Sequence, residues 1–310
     1  MATDQPAIVG DSFALGYRFQ RYWNTSMASA FFFGELGAGL FIVSMFYGVV
    51  PGMIGGLVAT GILKAYFHLA HMGVPANSWR AMMRPDRAWI SRGIIAIAVF
   101  VVFGVAYLLL QTGAIFDLDF DAFGGAGGTL PQTVKTIAVL AALGVLLYHG
   151  FLISHSSAIS LWSTGLMPVV SIIYALLGGA AVTAALGWNG LAVEVPDAML
   201  PLHALMLILL AALAVVLFSL MYAGLNGSPG ARVSVNLLLK GPFAKFFVPL
   251  VIGIGLALPL ALLLWAPATD VTSLIVAVAV LVGYYAFRVY IFKAGVYDPI
   301  MSFAPTHGAS

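Results

Sequence analysis

The sequence predicts an all-α, polytopic membrane protein with eight transmembrane helices and both termini in the cytoplasm. Three observations lead there. Of its 310 residues, 62% are hydrophobic and only 8% are charged, too few to cover the surface of a soluble domain of this length. The mean hydropathy of +1.05 comes from apolar runs of spanning length that recur along the whole chain. The charges that remain fall mostly between those runs, and the basic ones gather in alternate connections.

A helix needs roughly 20 apolar residues to cross about 30 Å of hydrocarbon. Runs over 24–50, 52–71, 89–112, 132–155, 160–187, 198–224, 243–265 and 271–294 meet that length. The first contains Gly34, Gly37 and Ala38, small enough for a neighbouring backbone to approach closely. The second carries Lys64 and closes on His68 and His71, and the third opens at Trp89. The fourth holds Tyr148, His149 and His155, and the fifth reads "LWSTGLMPVVSIIYALLGG". The sixth carries His203, and the eighth ends in Arg288 and Lys293. Tyr22, Trp23, Trp79 and Trp89 fall near run ends, where aromatic side chains anchor helices at the interface.

The chain is read as one integral membrane domain over 1–310. Residues 1–23 form a cytoplasmic segment, 24–155 the first four helices, 160–294 the second four, and 295–310 a cytoplasmic tail. Eight helices without a repeat suit two four-helix bundles. The start of the chain has no short apolar run closing on a small-residue cleavage site, so no signal peptide is expected.

Orientation follows from the loops. Arg18 and Arg21, then Arg80, Arg84, Arg87 and Arg92, then Arg232, Lys240 and Lys245, then Arg288 and Lys293 all fall on one side. The opposite loops hold Asp117, Asp119, Asp121, Glu194, Asp197 and Asp270, with Lys135 their only basic residue. Positive loops stay inside, so both termini and the arginine loop are placed in the cytoplasm of a prokaryote whose inner membrane holds the chain. The loop "FDLDFDAFGGAGGTLP" is expected to be an external excursion.

There is no cysteine, which excludes iron–sulfur ligation by this chain, covalent haem attachment and disulfides. No metal site and no nucleic-acid partner are expected; the surrounding partner is lipid.

Ionisable groups inside a membrane are costly, and each is a functional candidate. Glu35 lies about 16 Å along the first helix, and Lys64 roughly 10 Å before His71. Tyr148 and His149 sit at a similar depth, and His68 lies one turn from Lys64 on the same face. Together these groups lie in the cytoplasmic half. A quinone head group needs partners for two oxygens and groups that exchange two protons, which histidine, lysine, tyrosine and carboxylate supply. Small polar substrates and ions would accept the same groups, so a secondary transporter or proton channel stays open. A b-type haem between His68 or His71 and His149 or His155 is a further alternative. Structural readings stand beside these. Glu35 and Lys64 can pair across adjacent helices, Lys64 can snorkel, and the arginine loop can serve topology alone. His155 and His203 read as structural, and His307 is assigned nothing.

The stretch "HMGVPANSWRAMMRPDRAWISRG" resembles the signature of the NrfD-type membrane subunits, which include the DMSO reductase anchor and the polysulfide reductase membrane subunit. That pattern is close to H-L-G-x-P, then R-A, a proline, and S-W-L-S-R-E. His71, Gly73, Pro75, Arg80, Ala81, Pro85, Trp89, Ser91 and Arg92 match it, with Ile90 in place of its leucine. Met72, Ala88 and Gly93 depart from Leu, Ser and Glu. "RVYIFKAGVYDP" is similar to the family's C-terminal segment, and the fifth run to its fifth helix.

The resemblance implies a haem-free quinone-reactive anchor, non-catalytic alone, built from two four-helix bundles. It would use menaquinone or ubiquinone and exchange electrons with a four-cluster ferredoxin-like iron–sulfur subunit joined to a molybdopterin-type catalytic subunit. It places His71 at or near the quinone. Around it, His68, Lys64, Glu35, Tyr148 and His149 are expected to complete the site, and Arg80, Arg84, Arg87 and Arg92 to dock the partner. Glu35 or Lys64 is expected to take any proton-handling role that the missing glutamate at Gly93 leaves open. The family's familiar members meet partners outside the cytoplasm; the charge distribution here predicts a cytoplasmic one.

Overall fold

The computed structural model describes residues 17–113, 121–187 and 200–298. Asp117, Asp119, Glu194, Asp197 and His307 lie outside the described residues. Eight helices are long and apolar enough to cross a membrane. They are α1 (Thr25–Phe46), α2 (Val50–His71), α3 (Trp89–Thr112), α4 (Thr129–Ser154), α5 (Leu166–Leu186) and α6 (Leu202–Asn226). After a short α7 (Pro229–Leu239) come α8 (Ala244–Trp265) and α9 (Asp270–Lys293).

Boundaries differ from the apolar runs where local chemistry intervenes. Asn24 caps α1 by accepting from the Met27 N–H. The first run breaks at Gly48, whose φ of 71° is a left-handed value suited to glycine, and Val50–Pro51 start α2. The fifth helix begins at Leu166 rather than 160. Ile159, Leu161 and Trp162 are buried but lie in turns, and the Trp162 indole donates to the Ile291 carbonyl at 2.9 Å. Helix α7 was not expected, although "NGSPG" signals it: Ser228 caps the Ala231 N–H and Pro229 fills the first position.

Helix α1 is the axis of the fold. Its spanning window is 89% buried, against 22–67% for the others. Glycines allow this. A Cβ on Gly37 would lie 2.5 Å from the Gly56 carbonyl oxygen of α2, and one on Gly39 only 2.1 Å from the Ala175 carbonyl oxygen of α5. The close backbone approach expected along α1 is therefore present at Gly37, Gly39 extends it to α5, and at Gly34 side chains take the place of backbone. Gly39→Leu is expected to cost about 1–3 kcal/mol or more of stability, read as a lower unfolding midpoint in detergent.

The segments before α1 and after α9 meet at one end of the bundle, as an even number of spans requires. Strand β1 (Arg18–Phe19) pairs antiparallel with β2 (Val296–Tyr297). Gln20 donates to the Phe292 carbonyl at 2.8 Å, alongside the Gly295 N–H at 3.1 Å, tying β1 to the end of α9. Asp298 accepts from Ser160 and Ser228, tying the C-terminal strand to the α4–α5 and α6–α7 connections. Asp298→Ala is expected to loosen these connections and raise their amide hydrogen exchange without unfolding the spans. At the other end, burial raises the Tyr47 phenol above its ordinary range, and its hydroxyl donates to the Leu200 carbonyl.

His203 has the structural role expected of it. Its Nε2 lies 2.7 Å from the Leu263 carbonyl, which has no helical donor because Pro267, four residues on, lacks an N–H.

Candidate functional site

Adjacent residues of α1, Gly34 and Glu35, face two different buried polar groups.

At Gly34, α2 and α4 close over bare backbone. A Cβ there would lie 2.7 Å from both Lys64 Cδ and His149 Cε1, and 2.8 Å from His149 Nε2. Lys64 reaches this position just after a π-helical turn, Ala59–Leu63, where its N–H bonds to the Ala59 carbonyl five residues back. Thr60 in the same turn donates to the Gly34 carbonyl at 3.2 Å. The Lys64 ammonium sits 5.4 Å over the Tyr148 ring and forms no hydrogen bond among the described residues.

His149 is fully buried. Its Nδ1 lies 2.7 Å from the Val145 carbonyl, which can only accept, so Nδ1 carries the proton. Nε2 is then a bare lone pair, and it has no partner among the described residues. The Phe31 ring meets the imidazole edge-on at 4.9 Å, fixing its orientation. His68 adds a second buried, unpartnered ring nitrogen, Nδ1, within electrostatic reach of Lys64 and His149. An unpartnered polar atom in a membrane interior is expensive, and two such ring nitrogens with an unbonded ammonium mark a place prepared for polar atoms of another molecule.

Tyr148 also explains the departure at Gly93. A Cβ at Gly93 would lie 2.3 Å from Tyr148 Cδ2, so the tyrosine ring occupies the space a side chain there would need. Gly93→Glu is expected to displace Tyr148 and, with it, the cover over Lys64. The check is a shift in the tyrosine ultraviolet spectrum together with reduced stability.

At Glu35 the picture differs from the sequence expectation. Its carboxylate pairs with Arg288 of α9, not with Lys64. Arg288 Nε donates to Oε2 at 3.0 Å and Nη2 to Oε1 at 2.8 Å, and the Tyr284 hydroxyl donates to Oε2 at 2.5 Å. Arg288 Nη2 also donates to Ser171 Oγ of α5 at 2.6 Å. Both charged side chains are wholly buried. Arg288, grouped by sequence with the surface charges at the chain's end, is thus an intramembrane residue. The i, i+4 spacing of Tyr284 and Arg288, one face of a helix, was the available signal. Protonating Glu35 would strand a buried guanidinium, so this pair is a charge-neutral brace joining α1, α5 and α9.

His71 stands outside the buried group. It ends α2 on the face of Lys64 and His68, half-exposed, with Nδ1 3.2 Å from Asn24 Oδ1. His155 is exposed at the end of α4. The four arginines beyond His71 divide by task. Arg92 holds the loop by donating to the Pro85 and Asp86 carbonyls at 2.8 and 3.0 Å, and it covers Trp89, which stacks on Phe151. Arg87 pairs with Asp86 at 3.1 Å. Arg84 is exposed, and so is Arg80 beside the exposed Trp79 ring.

These features define a multi-pass membrane protein whose first four spanning helices enclose a lysine–imidazole cluster next to an arginine-bearing loop. The profile of the NrfD family, described as polysulphide reductase NrfD, matches residues 16–298, and the chain belongs to that family. It is accordingly a membrane subunit of the kind found in oxidoreductase complexes. A comparison with individually curated proteins found no match.

Proposed function

We propose that this chain is the haem-free, quinone-reactive subunit of a multisubunit oxidoreductase, with its quinone site at Lys64, His68, Tyr148 and His149. The observation that carries this reading is the buried, unpartnered Nε2 of His149, a lone pair aimed beside an ammonium donor.

A quinol hydroxyl donates to Nε2 and passes its proton there, because Nδ1–H is committed to Val145. Lys64 donates to a quinone oxygen and offsets negative charge that develops on it. His68 and His71, successive turns along α2, lead from the buried group toward the loop and carry protons out. Glu35, braced by Arg288, supplies fixed charge and moves no proton. Oxidation of one quinol releases two protons and two electrons; the protons leave through these histidines, and the electrons pass to an iron–sulfur cluster of a docked partner. Arg80 and Arg84 are the arginines free to meet that partner, which would be the four-cluster subunit of a molybdopterin enzyme. The one-sided basic loops support placing partner and termini in the cytoplasm of a prokaryotic cell.

The test is purification from native membranes in mild detergent. An iron–sulfur partner in stoichiometric amount, quinol-dependent reduction of its clusters and a difference spectrum without a b-type band are expected. A b-type band, or a chain that emerges alone and transports a solute, would overturn the reading.

A further inference from the structure

At the end of the bundle that carries the β1–β2 pair, α8 begins and α9 ends side by side. Lys245 lies in the first turn of α8 and Lys293 closes α9. Each ammonium covers an aromatic ring, Lys245 over Phe246 at 5.1 Å and Lys293 over Tyr290 at 5.6 Å. Those two rings stack on each other at 5.9 Å and 13°. Phe243 packs against Tyr290 from the same connection. Each lysine therefore lies against one ring of the same stacked aromatic pair. Among the described residues no carboxylate pairs with either, nor with the exposed Lys240 just before them.

Below the lysines, Phe246, Val248 and Ile252 are exposed along α8 toward the hydrocarbon. The place thus offers cations and an aromatic ledge at the height of lipid head groups, continued by an apolar strip. A free anion would use only the upper part and a soluble protein would have no use for the strip. An acidic head group joined to acyl chains uses both.

We propose that Lys245 and Lys293, spaced by the Phe246–Tyr290 pair, form a binding site for one anionic glycerophospholipid of the phosphatidylglycerol class. Its phosphodiester lies between the ammonium groups and one acyl chain follows the Val248–Ile252 strip. The site lies on α8 and α9 and is independent of the quinone reading.

The full chain, with whatever partners co-purify, is placed in nanodiscs of equal phosphatidylglycerol and phosphatidylcholine, released, and weighed by native mass spectrometry. One retained phosphatidylglycerol is expected. Each basic residue near an anionic surface contributes about fivefold, so K245Q/K293Q is expected to retain it about twenty-five-fold less well. K245R/K293R should retain it, as should K135Q, whose lysine lies at the opposite end of the bundle. Equal retention by K245Q/K293Q, equal retention of phosphatidylcholine, or displacement by inorganic phosphate would overturn the proposal.

Discussion

His149→Ala is expected to lower quinol-dependent turnover of the assembled complex by about 10²–10⁴-fold, the range by which a positioned general base contributes. The complex should still assemble, and its catalytic subunit should still react with a soluble artificial electron donor or acceptor. The size follows from the ring's position. Nδ1 is spent on the Val145 carbonyl, so no rotation or tautomer change can substitute another acceptor at Nε2. Of the three atoms nearest a Cβ placed at Gly34, only His149 Nε2 carries a lone pair; the others are carbons of His149 and of Lys64, whose ammonium lies over the Tyr148 ring. His71→Ala is expected to have the smaller effect, because that imidazole is half-exposed at the rim and water can replace its proton transfer. A steady-state assay with a short-chain quinol separates the two variants. A turnover loss at His71 exceeding that at His149 would move the site toward the surface.

Arg288→Met is expected to destabilise the protein by about 3–5 kcal/mol, the cost of leaving a buried charge without its partner. Glu35 would then remain inside α1 with only the neutral Tyr284 and Ser171 hydroxyls to meet it, since Arg288 supplies its charged donors. The double variant Glu35→Leu/Arg288→Met should recover most of the loss, because an apolar pair of similar volume has no charge to desolvate. What it does not recover is the hydrogen bonding of Tyr284 and Ser171, about 1–3 kcal/mol for each group left unsatisfied. Unfolding midpoints of the three variants in one detergent form the cycle. Additive losses in the double variant would show that the pair does not act as a unit.

The number of spans was legible because an apolar run of membrane length has few other uses, and each of the eight produced a helix. Their ends were less so. Gly48 stops α1 by a backbone angle, and Trp162 looks like helix because it is apolar, although its burial comes from packing under α9. The candidate polar residues were legible through rarity: a lysine, a glutamate and a histidine inside apolar helices stand out singly. Their grouping was not. Lys64 and His149 meet over Gly34, with the Tyr148 ring under the Lys64 ammonium, because a π turn and a missing Cβ let α2 close on α1. Glu35, one residue and about 100° further round the helix, finds an arginine that its sequence neighbours disguised as a surface charge. Gly93 shows the same gap. As a letter it reads as a lost glutamate; in space it is the seat of the Tyr148 ring.

The quinone site is tested most directly by photolabelling the complex in native membranes with an azido-quinone and mapping the labelled peptides. Label is predicted in α2 around Lys64–His68 and in α4 around Tyr148–His149, and it should be competed away by unlabelled quinone. Competable label confined to other helices, with α2 and α4 unmarked, would contradict the site.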